Sequence, residues 1–298
     1  MYEALLKDFP EIVCDTASCE FPLLTVKTPL ASAKISLYGG HVLAFTPAGE
    51  KPVLWMSGKS NFTAGKAIRG GVPVCWPWFG PGAEPGVPAH GFARISMWKP
   101  VNVKRLTGGA ISITMRLPEK EVAAGFNAPP FVLELTVTIS NALELQLAAT
   151  NNSAVTQQYQ AALHSYFAVG DATKITISKL ASLHYFDKVL NCENTNSPNC
   201  DTLEIDREID RVYLPASGSV AVADNAWRRT LIVEKSGSLS TVIWNPWIAK
   251  AKAMADFGDN EYMRMLCVEC GNVLDDTRTL EPGETTVMTQ KISVEKWD

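Results

Sequence analysis

Alternation of apolar and polar residues at a period of two dominates this chain and leaves little room for a helical fold. In Phe131-Val132-Leu133-Glu134-Leu135-Thr136-Val137-Thr138-Ile139 the odd positions are apolar and most even ones polar. The pattern returns at residues 111–115, 143–147, 174–178, 230–234 and 285–294. Successive side chains of a strand point to opposite faces, so each run predicts a strand with one buried face. Thr107-Gly108-Gly109 and Asn141-Ala142 stand where turns belong. Helical spacing is confined to a turn or two at residues 3–9 and 119–124. Strands do not alternate with amphipathic helices, which argues against a parallel α/β sheet. The expectation is an all-β, mainly antiparallel sandwich with few short helices. No repeat or compositional break divides it, so residues 1–298 are expected to form one domain. Residues 187–209 are rich in Asn, Asp and Glu and read as a long polar loop.

Composition narrows the function classes. Apolar residues make up 46% and charged residues 19%, which suits a sizeable core and argues against disorder. The net charge is −4, so no overall positive field draws nucleic acid or anionic lipid. No apolar run approaches the roughly 20 residues of a membrane helix. The first ten residues lack the basic start and apolar stretch of a signal peptide. The seven cysteines are an odd number without a framework, as expected of reduced thiols. A cytoplasmic monomer without nucleic-acid or membrane partners is the expectation.

Several familiar motifs fail on inspection. Gly58-Lys59-Ser60 and Gly65-Lys66-Ala67 lack the earlier glycine of a phosphate loop. Cys267-Val268-Glu269-Cys270 has no second ligand pair for zinc. If residues 263–268 form a strand, residues three apart point to opposite faces, so these thiols diverge.

Four stretches look chemical. Arg69 heads a run of Gly, Pro and Trp from Ile68 to Gly82, in which Trp76 and Trp78 either stack on a sugar or fill the core. His90 and Arg94 flank a glycine in Ala89-His90-Gly91-Phe92-Ala93-Arg94. An arginine grips phosphate through paired N–H donors, although a solvated arginine is the plainer alternative. His164 lies within the apolar stretch 161–169, where a bonded core histidine is commoner than a catalyst. Glu269 ends an apolar strand, and a carboxylate is rarely buried unless paired or used. Burial would raise its pKa towards that of a base working near neutrality.

Taken in order, these stretches resemble the hexose-6-phosphate 1-epimerases of the aldose 1-epimerase, or galactose mutarotase-like, superfamily. The marks are Tyr38-Gly39-Gly40-His41-Val42, Ile68-Arg69-Gly70-Gly71-Val72-Pro73, Phe79-Gly80-Pro81, Ala89-His90-Gly91-Phe92-Ala93-Arg94, Leu163-His164-Ser165-Tyr166-Phe167, Asp210-Arg211-Val212-Tyr213, Trp244-Asn245-Pro246-Trp247 and Cys267-Val268-Glu269. They run from about residue 20 to the end, and the ordered set is far more specific than any one block.

The resemblance implies a large galactose mutarotase-like β-sandwich. It implies His164 as general acid, Glu269 as general base, Arg69 and Arg94 as a phosphate clamp, and His90 and Asp210 as sugar-binding residues. Ile-Asp-Arg occurs twice between Ile205 and Arg211, so Asp206 competes with Asp210, which the following Val-Tyr favours. The implied reaction is interconversion of the α and β anomers of a hexose 6-phosphate, glucose 6-phosphate by default, without metal or cofactor. It calls for an ionised Glu269 and a protonated His164 in the free enzyme. A mutarotase for unphosphorylated aldoses and a non-catalytic carbohydrate-binding sandwich are the alternatives.

Overall fold

The computed structural model describes residues 3–17, 20–118, 122, 125–126, 130–196, 199 and 201–297. Two large antiparallel sheets face each other. The nine-stranded sheet runs in the order Thr202–Glu204, Ile175–Ser178, Val220–Asp224, Arg229–Ser236, Thr285–Lys296, Leu143–Asn151, Phe131–Ile139, Ile111–Leu117 and Lys99–Arg105. The eight-stranded sheet runs in the order Cys192–Thr195, His184–Asp187, Ile209–Tyr213, Ser240–Asn245, Met265–Asn272, Ala161–Leu163 and Val74–Cys75, with Tyr166–Ala168 also paired to Met265–Asn272. A four-stranded meander from Ile12–Asp15 to His41–Pro47 flanks them. Among the described residues no helix is long and apolar enough to cross a membrane.

The alternating runs behave as their pattern predicts. In Phe131–Ile139 every odd residue is buried and every even one partly exposed. Each fully buried Val, Leu or Ile on such a face contributes roughly 1.5–3 kcal/mol of transfer free energy. The eight-stranded sheet differs, because Ser240–Asn245 and Met265–Asn272 are buried on both faces. Leu266, Val268 and Cys270 enter the main core with Ile243, Met288 and Ile292. Met265 and Cys267 enter a separate cluster with Tyr166, Trp244 and Phe257. Cys267 and Cys270 therefore diverge, as the strand geometry required.

Two local expectations need correction. Residues 187–209 are not a plain loop, since they hold the edge strands Cys192–Thr195 and Thr202–Glu204. The stretch 161–169 is not one strand, since it breaks between Ala161–Leu163 and Tyr166–Ala168. Trp76 is core, with its edge on Phe92 and Phe131. Trp78 is half-buried and donates its indole N–H to the Pro88 carbonyl. The expected turn at 119–124 falls almost wholly outside the described residues, whereas Glu3–Leu6 is a short helix.

The break at His164 and Ser165 sits where the segment Gly70 to Pro73 crosses. His164 N donates to the Pro73 carbonyl at 3.0 Å and Tyr166 N to the Gly71 carbonyl at 2.8 Å. From the opposite sheet, the buried Gln290 accepts from Ser165 Oγ at 2.6 Å and donates to the Val268 carbonyl at 3.3 Å. The polar groups exposed by the break are thus satisfied inside the core, as buried polar groups must be.

Gly71 is what lets the crossing segment come so close. Its φ is +60°, and a Cβ there would lie 2.3 Å from the Val42 carbonyl oxygen and 2.8 Å from His41 Nε2. Gly49 has φ +74° but open space around it. Gly71→Ala is expected to lower stability by roughly 2–4 kcal/mol, against about 1 kcal/mol for Gly49→Ala. Urea midpoints with unchanged m-values check this, and equal costs for the two would remove the close-approach argument.

Candidate active site

The register of the eight-stranded sheet assembles the site. Leu163 pairs with Cys270 and Tyr166 with Cys267, on either side of the break. Continued across it, the same register sets His164 opposite Glu269. Directly opposite residues project to the same face. On the next strand Val242 pairs with Glu269 and Trp244 with Cys267. Beyond it Val212 pairs with Val242 and Asp210 with Trp244. Two adjacent rows across one sheet face therefore supply the floor of a cavity of about 390 Å³.

That cavity is lined by Arg69, Phe79, His90, His164, Lys188, Asp210, Trp244, Lys250, Met254 and Glu269, among others. A cavity of about 490 Å³ opens on the outer strands of the same sheet, but its histidine, His184, is bonded to Thr195 Oγ1.

His164 Nε2 lies 3.2 Å from Glu269 Oε1. His164 is 7% exposed and Glu269 2%. The imidazole stacks on the Tyr166 ring at 4.7 Å and meets Trp244 edge-on. Neither His164 Nδ1 nor Glu269 Oε2 has a protein hydrogen-bond partner. Burial pushes the Glu269 carboxyl well above the usual carboxylate range, with Asp210 adding to the rise and Lys188 and Arg94 opposing it. Burial holds His164 well below the ordinary imidazole value, helped by the positive field of Arg94 and Arg69. Both directions favour an uncharged pair with its proton on Glu269. Desolvation thus opposes the ion pair expected for the free enzyme, because it penalises two buried charges.

His90 adopts φ +59° and sets its ring edge-on to Phe79. Its Nδ1 accepts from Gly80 N at 3.3 Å. Burial, together with Arg94, Lys188 and Arg69, lowers its pKa to about 3. A neutral ring that accepts through Nδ1 carries its proton on Nε2, and so offers a donor to a ligand oxygen.

Arg69 donates through Nη1 to the Tyr166 hydroxyl at 2.9 Å and through Nε to Asp256 at 3.2 Å. A guanidinium has five N–H donors, so these contacts leave donors for a ligand. Arg94 is placed differently from the expected clamp. It is absent from the cavity lining, and its Nη2 donates to the Ala89 carbonyl at 2.7 Å. Its charge still reaches His90, His164 and Glu269.

Asp210 lines the cavity, with its carboxylate 3.5 Å from Lys188 Nζ and its pKa raised by burial. Asp206 is exposed and paired with Arg207, so the second Ile-Asp-Arg is the one at the cavity. Lys188, Lys250, Trp244 and Cys267 escaped the sequence reading as individual site residues. Lys188 sits 4.8 Å over the Phe79 ring, and Lys250 Nζ lies 2.8 Å from Glu208. Lys250 belongs to the helix Trp247–Ala253, which follows the Trp-Asn-Pro-Trp block and was the available signal for it. Cys267 is fully buried two residues from Glu269, on the same face.

A buried histidine–carboxylate contact facing a cation-lined cavity on an antiparallel sandwich is suited to proton transfer on a small ligand. Residues 22–293 match the aldose 1-epimerase family, and the chain belongs to that family. It is 36% identical over 278 residues to an Escherichia coli K12 protein named "putative glucose-6-phosphate 1-epimerase", covering 93% of this chain and 92% of that one. A Cenchrus ciliaris protein of the same name is 35% identical, covering 85% of this chain and 78% of that one. The crystal structure of a "putative mutarotase" from Salmonella typhimurium superposes with a TM-score of 0.89 at 31% identity, covering 97% of this chain and 95% of that one. A galactose mutarotase-like protein from Clostridium acetobutylicum has the same fold, with a TM-score of 0.71 at 16% identity over 96% of this chain and 98% of that one. The all-β mutarotase-like fold expected from the sequence is borne out.

His41 anchors the Arg69 segment from beneath. It is fully buried, and its Nε2 donates to the Gly70 carbonyl at 2.7 Å. Burial lowers its pKa to about 4. A depressed folded-state pKa gives stability that is present above the unfolded value and is lost as pH falls towards the folded one. From about 6.5 down to about 4 this amounts to roughly 3 kcal/mol. Urea unfolding of wild type and His41→Gln between those pH values should show a shallower decline in the variant. Parallel declines would assign the loss to other groups.

Proposed function

We propose that this epimerase-family protein interconverts the α and β anomers of a hexose 6-phosphate, with glucose 6-phosphate as the default substrate. The observation that carries the reading is the buried His164–Glu269 contact at 3.2 Å, facing a cavity that Arg69, Lys188 and Lys250 also line. The names of the relatives supply the substrate.

In the proposed mechanism, Glu269 takes the proton of the anomeric hydroxyl while His164 gives one to the ring oxygen. The C1–O5 bond breaks and C1 becomes an aldehyde. The C1–C2 bond rotates, and the O5 hydroxyl attacks the other face of C1. During closure His164 takes back the O5 proton and Glu269 returns its proton to O1. One proton more than the fully deprotonated pair is present throughout. It sits on His164 with the ring closed and on Glu269 with the aldehyde formed. The uncharged pair favoured in the empty cavity is therefore the arrangement that accompanies the open chain.

The phosphate then has two uses. It orients the sugar far from the reacting carbon, which turns binding energy into positioning. It also brings up to two negative charges beside the cations that suppress protonation of His164. Neutralising that field makes the imidazolium easier to form when substrate is bound. His90 Nε2 and the Asp210 carboxylate are suited to the sugar hydroxyls.

Anomer exchange followed by saturation-transfer NMR tests the reading, with free glucose as the control. Glu269→Gln and His164→Gln should each lower glucose 6-phosphate exchange by roughly 10²–10⁴-fold. Arg69→Ala should cost the phosphate sugar far more than glucose. Equal acceleration of both sugars by wild type would favour a general aldose mutarotase. No acceleration of either by folded protein would leave a carbohydrate-binding module.

The pH profile carries a separate expectation. Burial shifts the two pKa values in opposite directions, His164 well below its ordinary value and Glu269 well above its own. His164 then has no titration of its own near pH 6.5, where a free histidine titrates. kcat/KM, which reports the free enzyme, should show no histidine step across that region once the phosphate's own titration is allowed for. A narrow bell centred there would contradict the assigned protonation.

A further inference from the structure

The acid–base pair has a third neighbour for which the sugar chemistry has no use. His164, Cys267 and Glu269 each present a ligand atom, and the three lie within 4.8 Å of one another. We infer that these residues form an inhibitory binding site for a soft divalent cation such as zinc, which displaces the sugar reaction when occupied. The inhibitory part rests on the proposed function, whereas the metal site does not.

The spacing supports this. In a tetrahedral zinc site, bonds of about 2.0–2.3 Å place ligand atoms roughly 3.3–3.7 Å apart. His164 Nε2 and Glu269 Oε1 are already 3.2 Å apart. The Cys267 sulfur has about 1 Å or less to close. All three side chains rise from one face of paired strands, because Cys267 is two residues before Glu269 and the continued register sets His164 opposite Glu269. Glu269 Oε2 has no protein partner that a metal would have to displace. The cavity side remains open to a water as the fourth ligand.

The donor set selects the metal. Thiolate, imidazole and carboxylate suit zinc and cadmium, whereas magnesium prefers oxygen alone and keeps its own waters. Binding releases the Cys267 thiol proton and the proton shared by His164 and Glu269 to solvent. The ion then occupies the place of the proton that the reaction moves, so metal and sugar exclude each other. The positive charges of Arg69, Lys188 and Lys250 around the cavity oppose the ion's entry and slow its association.

Zinc should inhibit glucose 6-phosphate anomer exchange competitively with the sugar, and magnesium at the same concentration should not. Measured against its own metal-free rate, Cys267→Ser should need at least about tenfold more zinc for half-inhibition, since even outer-shell losses cost metal sites 10–100-fold. Cadmium titrated into the wild-type protein should produce a thiolate-to-metal ultraviolet band at one ion per chain. That band should vanish in Cys267→Ser and weaken in the near-isosteric Glu269→Gln. The cadmium arm needs no turnover, so it tests the site even if the sugar reading fails. A band unchanged in both variants, or zinc inhibition unchanged in Cys267→Ser, would overturn the site.

Discussion

The pairing of Met265–Asn272 with the interrupted strand beside it is the constraint on which the site depends. Leu163 against Cys270 and Tyr166 against Cys267 fix the register on both sides of the interruption. Side chains alternate along a strand, so a slip of one residue would send Glu269 into the main core. Leu266 and Val268 hold the register by burying their alternate positions there. Gln290, Gly71 and Pro73 stabilise the break by serving its hydrogen-bonding groups. Core packing and site assembly are two consequences of one register.

Electrostatics gives that geometry its chemical character. Two buried ionisable groups in contact lower their joint cost by staying uncharged as a pair. The cations around them lower both pKa values, opposing the effect of burial on the carboxyl and adding to it on the imidazole. Arg69 is steadied by Asp256 and Tyr166, and Lys188 by Asp210 and the Phe79 face. A polyanionic ligand thus meets a preorganised positive wall rather than ordering it on arrival.

The fold was legible where one strand face is wet. Phe131–Ile139 and Leu143–Asn151 alternate because the sandwich buries only one side of them. The break at His164 was hidden because residues 161–163 and 166–168 are buried throughout, and such a run carries no period. The edge strands Cys192–Thr195 and Thr202–Glu204 were hidden for the opposite reason, as neither residue set presents a buried face. His164, Glu269, Arg69, His90 and Asp210 could be named from motifs, and the structure brings all five to one cavity. Lys188 and Lys250 converge only through the fold, on a strand end and a short helix with no shared local pattern. The location of the pair's proton also lay beyond sequence reading, since burial decides it.

The proposed proton-handling groups, Glu269 on a central strand and His164 in the break beside it, belong to the sheet, whereas Arg69, His90, Lys188 and Lys250 stand on connections and a short helix around it. A sheet interior resists change, because each of its side chains is also a packing unit. Surface connections drift more freely. Under the proposed function the molecule separates what it does to a ring from which ring it accepts. Descendants of such a chain can exchange one sugar for another by altering the rim while inheriting the same proton transfer unaltered.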